Sequence, residues 1–223
     1  MGQARTDAAK GTSAASCNHP VQVPATDDEI REKYLERAIR ELNGLTRAVQ
    51  ECELCPRGGM MPVLGSGHPQ ADVFMLKFAP RPSEIEEGVA FYGRAGSALM
   101  KSFKRLGIDP LAVYGTVFVK CPVPDTDLAA PECRARVLDE LTVVAPRIVV
   151  VMGQEALDEL NGLGIPLAAS VAADPGAIQK LTPSCDALYV PDLDVSLDDE
   201  RSKRGFWTAF RSLGDWYADF PPY

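Results

Sequence analysis

Ala145-Pro146-Arg147-Ile148-Val149-Val150-Val151-Met152-Gly153-Gln154 decides the fold. Ile148 to Met152 is an unbroken apolar run bounded by Pro146 and a glycine. It has no polar alternation, so it reads as a strand buried on both faces. A helix over Gln154 to Leu163 follows directly. The same pattern recurs outward along the chain. Val73 to Phe78 is a buried strand between Asp72 and Pro80, and a helix from about Gly96 to Leu106 presents Leu99, Phe103 and Leu106 before stopping at Gly107. Val113 to Val119 is a further strand leading into Lys120 and Cys121. Pro131 suits the first turn of a helix that runs to Ala145, and Leu188 to Val190 is a short fourth strand. Thr26 with Glu29 forms a capping box at the head of a helix carrying Ile30, Leu35, Ala38, Leu42 and Val49, while Ser196 with Asp199 is expected to cap a last helix carrying Phe206, Phe210 and Leu213. Apolar strands alternating with helices predict an α/β fold: a three-layer α/β/α sandwich around a mostly parallel, four-stranded central sheet. In such sheets ligands bind at the carboxyl ends of the strands, here the loops after Phe78, Val119, Met152 and Val190.

A chain of 223 residues with 46% hydrophobic content suits one domain, expected over 26–223. Residues 1–25, rich in Ala, Ser, Thr and Gly without apolar periodicity, read as a disordered tail. The start Met-Gly-Gln-Ala-Arg-Thr fits the loose myristoylation pattern, and is read as an ordinary flexible start. Lys and Arg number 23 against 31 Asp and Glu, a net charge of -8. Because cations supply most non-specific affinity for phosphate backbones, that balance argues against a general nucleic-acid binder and confines any DNA contact to a local basic patch. Neither an apolar leader nor a bilayer-spanning run is present, so the expected compartment is the reducing cytoplasm, with no membrane partner.

In that compartment paired cysteines point to metal binding rather than to disulfides. Cys52 and Cys55 form a C-x-x-C knuckle, Cys121 ends a strand and Cys133 opens a helix, so two loops can deliver four thiolates to one place. Spacing alone leaves an iron–sulfur cluster and zinc both open. Cys17 and Cys185 have no such partners.

The stretch Lys77-Phe78-Ala79-Pro80-Arg81-Pro82-Ser83-Glu84-Ile85-Glu86-Glu87-Gly88-Val89-Ala90-Phe91-Tyr92-Gly93-Arg94-Ala95-Gly96 aligns without a gap to the pattern G-E-A-P-G-x-x-E-D-x-x-G-x-P-F-V-G-R-A-G. With Tyr114-Gly115-Thr116-Val117-Phe118-Val119-Lys120-Cys121, set against the pattern Y-I-T-N-V-V-K-C, and the segment from Ala145 to Ala156, it resembles the iron–sulfur uracil-DNA glycosylases of families four and five, over about residues 50 to 160. The resemblance implies a uracil-DNA glycosylase-like domain, a 4Fe-4S cluster on Cys52, Cys55, Cys121 and Cys133, base stacking by Phe91, and DNA as partner. It also exposes departures. The family's water-activating position falls on Phe78, its uracil-reading Asn falls on Val117, and its late-loop histidine has no counterpart, the only histidines being His19 and His68.

A glycosylase must hold an extruded base by its edge and stabilise charge developing on the sugar. Val117 cannot pair with a base edge and Phe78 cannot orient water. Glu84, Glu86, Glu87, Asp192 and Asp194 are candidate replacement carboxylates, although each is first read as part of a solvated acidic loop. Arg94 stands at a helix start suited to a phosphate. Lys101, Lys104 and Arg105 are read as a polar helix face, and Phe206, Trp207 and Phe210 as core packing. The expected function is a cluster-bearing glycosylase-like protein whose base excision is lost or altered, serving as a nucleic-acid or protein-binding module. The alternatives are an active DNA glycosylase of altered specificity and, more distantly, a zinc-stabilised interaction protein.

Overall fold

A computed structural model describes residues 26–219, so the tail expected over 1–25, with Cys17 and His19, lies outside the described residues. The first helix, α1 (Asp27–Gln50), begins with the expected capping box: Glu29 N donates to Thr26 Oγ1 at 3.3 Å and Thr26 N to Glu29 Oε2 at 2.9 Å. Four parallel strands then form the centre of the sheet, β2 (Val73–Lys77), β3 (Val113–Val117), β4 (Ile148–Met152) and β6 (Cys185–Val190). The expectation of a four-stranded sheet is corrected to six strands. A two-residue β1 (Ser66–Gly67) pairs antiparallel with β3, and β5 (Ile178–Thr182) pairs antiparallel with β6, giving the order β1-β3-β2-β4-β6-β5. Both additions are edges in which Leu181 alone is buried, so they lack the apolar run that marks the buried strands.

Successive residues of a strand point to opposite faces, and the two faces have separate cores. Phe74, Leu76, Val149, Val151 and Ala187 pack under α4 (Pro131–Val144) and α5 (Gln154–Gly162), with Leu42 of α1 beside them. Val73, Met75, Ile148, Val150, Leu188 and Val190 pack under α3 (Arg94–Leu106) and α7 (Glu200–Ala218) through Leu99, Phe103, Phe206, Phe210 and Leu213. These are the three layers predicted. Each fully buried Leu, Ile, Phe or Met stabilises the fold by about 1.5–3 kcal/mol relative to exposure.

Two local features depart from the sequence reading. The segment after Pro80 is not a loop throughout: Pro82–Glu87 form a short helix, α2, ended by Gly88 in the left-handed conformation (φ 74°). The last helix is split. Asp192 Oδ1 accepts from Val195 N at 2.8 Å and caps α6 (Leu193–Asp198); Asp199, extended at φ -127° and ψ 126°, then caps α7 by accepting from Ser202 N at 2.6 Å. Ser196 caps nothing, its hydroxyl donating back to Asp192 O at 2.6 Å.

The chain leaves β2 towards β3 through α3 on one face and returns to β4, on the other side of β2, through α4 on the opposite face. The topological switch point, where α/β sheets place their ligands, therefore lies between the carboxyl ends of β2 and β4, at Lys77 and Met152. No helix among the described residues is long and apolar enough to cross a membrane.

Candidate functional site

Cys55 comes from the loop after α1, Cys121 from the turn that follows β3, and Cys133 from the first turn of α4. All three are buried, and their sulfur atoms lie within 4.8 Å of one another. Ala130 N–H donates to Cys55 Sγ at 3.3 Å, and the half-buried Val123 and Ala130 pack against the three cysteines. A hydrogen bond from Cys121 pulls the Cys133 thiol below its ordinary value against the effect of burial, with backbone N–H groups of Lys120 and Cys121 and the Lys120 charge assisting. The same contact, with desolvation, pushes the Cys121 thiol up. Three buried soft donors this close together fit zinc or an iron–sulfur cluster and fit hard cations poorly. Cys52 is half-buried and stands outside this group. Cys185, in β6, is a packing residue whose thiol burial pushes up to about 12.

Lys120 ties this centre to the sheet. Its ammonium, 1% exposed, donates to Glu140 Oε2 at 2.8 Å, Thr116 Oγ1 at 2.7 Å and Val117 O at 3.1 Å, which uses all three of its protons. Tyr114 donates to the other Glu140 oxygen at 3.2 Å. Strand β3 and helix α4, which deliver Cys121 and Cys133, are thereby locked together.

At the switch point stands a group the sequence reading passed over. Lys77 ends β2 on the α3 face and is 2% exposed. Its ammonium lies 2.5 Å from Glu84 Oε2 and 2.9 Å from Asp194 Oδ2, and 5.4 Å from the centroid of the Phe91 ring. Arg81 Nε adds a contact of 3.4 Å to Asp194. Glu84, expected in a solvated loop, is instead fully buried in α2, and accepts from Arg81 N at 2.7 Å and from Phe91 N as well. That second bond holds Phe91 at φ 60°, a conformation uncommon for an aromatic residue and characteristic of built sites. The ring rests on Gly115, where an added Cβ would come within 2.6 Å of it.

The other expected residues fall as follows. Val117 is fully buried against Val63 and Ala90, and Phe78 is half-buried against the α4 and α5 core, so both side chains pack among apolar neighbours. The loop after Val190 folds towards the pocket and contributes Asp194, while Asp192 is committed to capping α6. Glu86 and Glu87 are exposed, as a solvated pair should be. Arg94 opens α3, but its guanidinium donates to Asp198 Oδ1 at 2.9 Å and Leu197 O at 2.7 Å. The signal for Lys77 was available: a lysine closing an otherwise apolar strand must find a buried carboxylate.

Comparison with known proteins shows the family of the chain. Residues 64–197, more than half of the chain, match the uracil DNA glycosylase superfamily. The type-4 uracil-DNA glycosylase of Pyrobaculum aerophilum is 30% identical over 133 residues, 55% of this chain and 67% of that protein. The type-4 enzyme of Sulfurisphaera tokodaii is 31% identical over 99 residues, 42% of this chain and 45% of that one, and that of Archaeoglobus fulgidus is 26% identical over 124 residues, 53% and 62% respectively. The chain thus spans less than two thirds of the length of the last two.

Proposed function

The chain belongs to the uracil DNA glycosylase superfamily, and from that premise we propose that it is a metal-cluster member whose excision of uracil has been lost, leaving a DNA-binding scaffold. The observation that carries this reading is the Lys77 ammonium beside Phe91, gripped by Glu84 and Asp194 at the switch point. An extruded base needs an aromatic face and hydrogen-bonding partners left free for its edge. Phe91 supplies the face, but the nearest polar groups are already spent on one another. Val117 offers the edge nothing, and Phe78 offers no acceptor for a water proton. A pocket that leaves a base's polar edge unpaired loses about 10⁴–10⁵ in selectivity.

A second reading, excision of a different base, is favoured by Asp194. Its side chain is 11% exposed, so it is the one carboxylate of the triad that meets solvent and could face developing positive charge.

The same proposal assigns a 4Fe-4S cluster to Cys52, Cys55, Cys121 and Cys133. The three gathered thiols support it, and Cys52, from the same short loop as Cys55, is the fourth ligand of the reading. The cluster would staple that loop to β3 and α4 and make or break no bond of the substrate. Zinc on the same cysteines is the alternative. The reducing cytoplasm remains the proposed compartment. Anaerobic purification with a visible spectrum and iron and sulfide analysis tests the centre: a brown, iron-containing protein is expected, and a colourless zinc protein would overturn the cluster. Excision is tested on single- and double-stranded DNA containing uracil, hypoxanthine or xanthine, with Phe91→Ala as control. No abasic product is expected from uracil.

A further inference from the structure

A groove of about 680 Å³ runs between α3 and the α6–α7 segment, away from the thiol centre. Five cations line it, Arg94, Lys101 and Arg105 from α3 and Lys203 and Arg204 from α7; Arg94 is paired with Asp198 and Lys203 with Glu200, which leaves Lys101, Arg105 and Arg204 without an ion pair among the described residues. This concentration stands out in a chain of net charge -8. Arg94, Lys101 and Arg105 recur at intervals of seven and four, which sets them along one helix face. Lys101 and Arg105 are like charges one turn apart, an arrangement that repels itself unless an anion lies over it. Lys101 has no ion-pair partner among the described residues.

The floor is apolar. Trp207, read from the sequence as core, is half-buried and lies under the Arg105 guanidinium at 5.0 Å from its ring centroid, while Leu193 and Leu197 extend the floor towards the switch point. Arg94 and Leu197 line both this groove and the smaller pocket bounded by Glu84 and Asp194, so the two are neighbours.

We infer that this groove binds single-stranded DNA, with phosphates along Lys101, Arg105 and Arg204 and bases against Trp207. A cationic rim over an aromatic floor is the chemistry of single-strand binding: the rim tracks the backbone and every base has a face to stack. A duplex would offer phosphates to the rim but no base to the floor. The choice of DNA rests on the superfamily membership. The inference does not require excision, because it concerns affinity alone.

The test is fluorescence anisotropy of a labelled oligo(dT) of about 15 nucleotides, titrated with the metal-loaded full chain at about 50 and 200 mM salt. Lys101→Glu/Arg204→Glu is compared with Lys33→Glu/Arg40→Glu, which makes the same charge change at exposed positions of α1. The unmodified protein should bind with a log–log salt slope of about -2, as three phosphate contacts at roughly 0.7 each require. The groove variant should weaken binding at least about tenfold and flatten the slope by about 1.4, while the α1 variant stays within about twofold. Trp207→Ala should weaken binding about tenfold with the slope unchanged. Equal weakening by both charge variants would overturn the inference, as would stronger binding to duplex DNA, to oligo(U) or to polyglutamate than to oligo(dT). The readout is affinity for an oligonucleotide that contains no uracil, so a failure of the groove is read separately from the abasic-site result that tests the pocket proposal.

Discussion

Two lysines close neighbouring parallel strands of this sheet, and they have opposite surroundings. Lys120 follows β3, spends its three protons on Glu140, Thr116 and a carbonyl, and is sealed between sheet and α4. Lys77 ends β2, faces two carboxylates, and belongs to a network that reaches solvent through Asp194 and Arg81, which are 11% and 49% exposed. Lys120 stands where the resembling pattern also has Lys before Cys; Lys77 stands where that pattern has Gly. A buried ammonium in a matching position is scaffold for the thiol centre. The same group in place of a glycine, beside Phe91, puts a charge and its two carboxylates at the switch point.

The comparison can be broken most severely at Lys120. Lys120→Met leaves Glu140 buried with only Tyr114 as partner, and should cost about 3–5 kcal/mol in urea unfolding. A cost below that of Lys77→Met would reverse the assignment of scaffold and pocket. Next come the cysteines. Cys121→Ser should remove most of the bound metal and lower the melting temperature by about 5 °C or more, in keeping with a loss of roughly 2 kcal/mol. Cys52→Ser should release as much metal as Cys121→Ser if four thiolates hold the centre, and Cys185→Ser should release none. Retention of full metal by Cys52→Ser, measured by metal analysis, would reduce the ligand set to the three gathered sulfurs.

Lys77→Met should cost less than Lys120→Met, on the order of 2–3 kcal/mol, because Glu84 keeps two backbone N–H donors and Asp194 keeps Arg81 and water. The smallest effect concerns the break between α6 and α7. Backbone N–H donation from Ser202 holds the Asp199 carboxyl below its usual value. Its cap therefore contributes stability that is fully present above the unfolded carboxylate value of about 3.9 and is lost as pH falls through the lower folded value. Asp199→Asn should keep the cap and flatten this part of the acid-unfolding curve; an unchanged curve would show that Asp199 does not titrate with unfolding.

How much of this was legible follows from where each partner lies. Ile148 to Met152 are matched at both ends because a strand buried on both faces needs an unbroken apolar run. Val113 to Val119 overran β3 by two residues, since Phe118 and Val119 still donate to Lys77 O and Phe78 O but the neighbouring chain turns away at Pro80. Strand β5 was missed because an exposed edge carries no such run, and α2 because a six-residue helix has too little periodicity to register. Of the four cysteines that spacing paired, Cys55, Cys121 and Cys133 come together and Cys52 does not. Glu84 was not legible, since nothing in an acidic hexapeptide announces a partner seven residues upstream in a strand, and Asp194 lies 117 residues from the same ammonium. Arg94 likewise meets its partner 104 residues away, in a helix whose start the sequence misplaced.

The account turns on whether the Lys77-filled pocket can still extrude and release uracil. The direct measurement is abasic-site formation by the metal-loaded protein on single-stranded DNA containing uracil, beside Phe91→Ala. The account predicts no product above the protein-free control for either. Uracil-derived abasic sites that disappear in Phe91→Ala would contradict it.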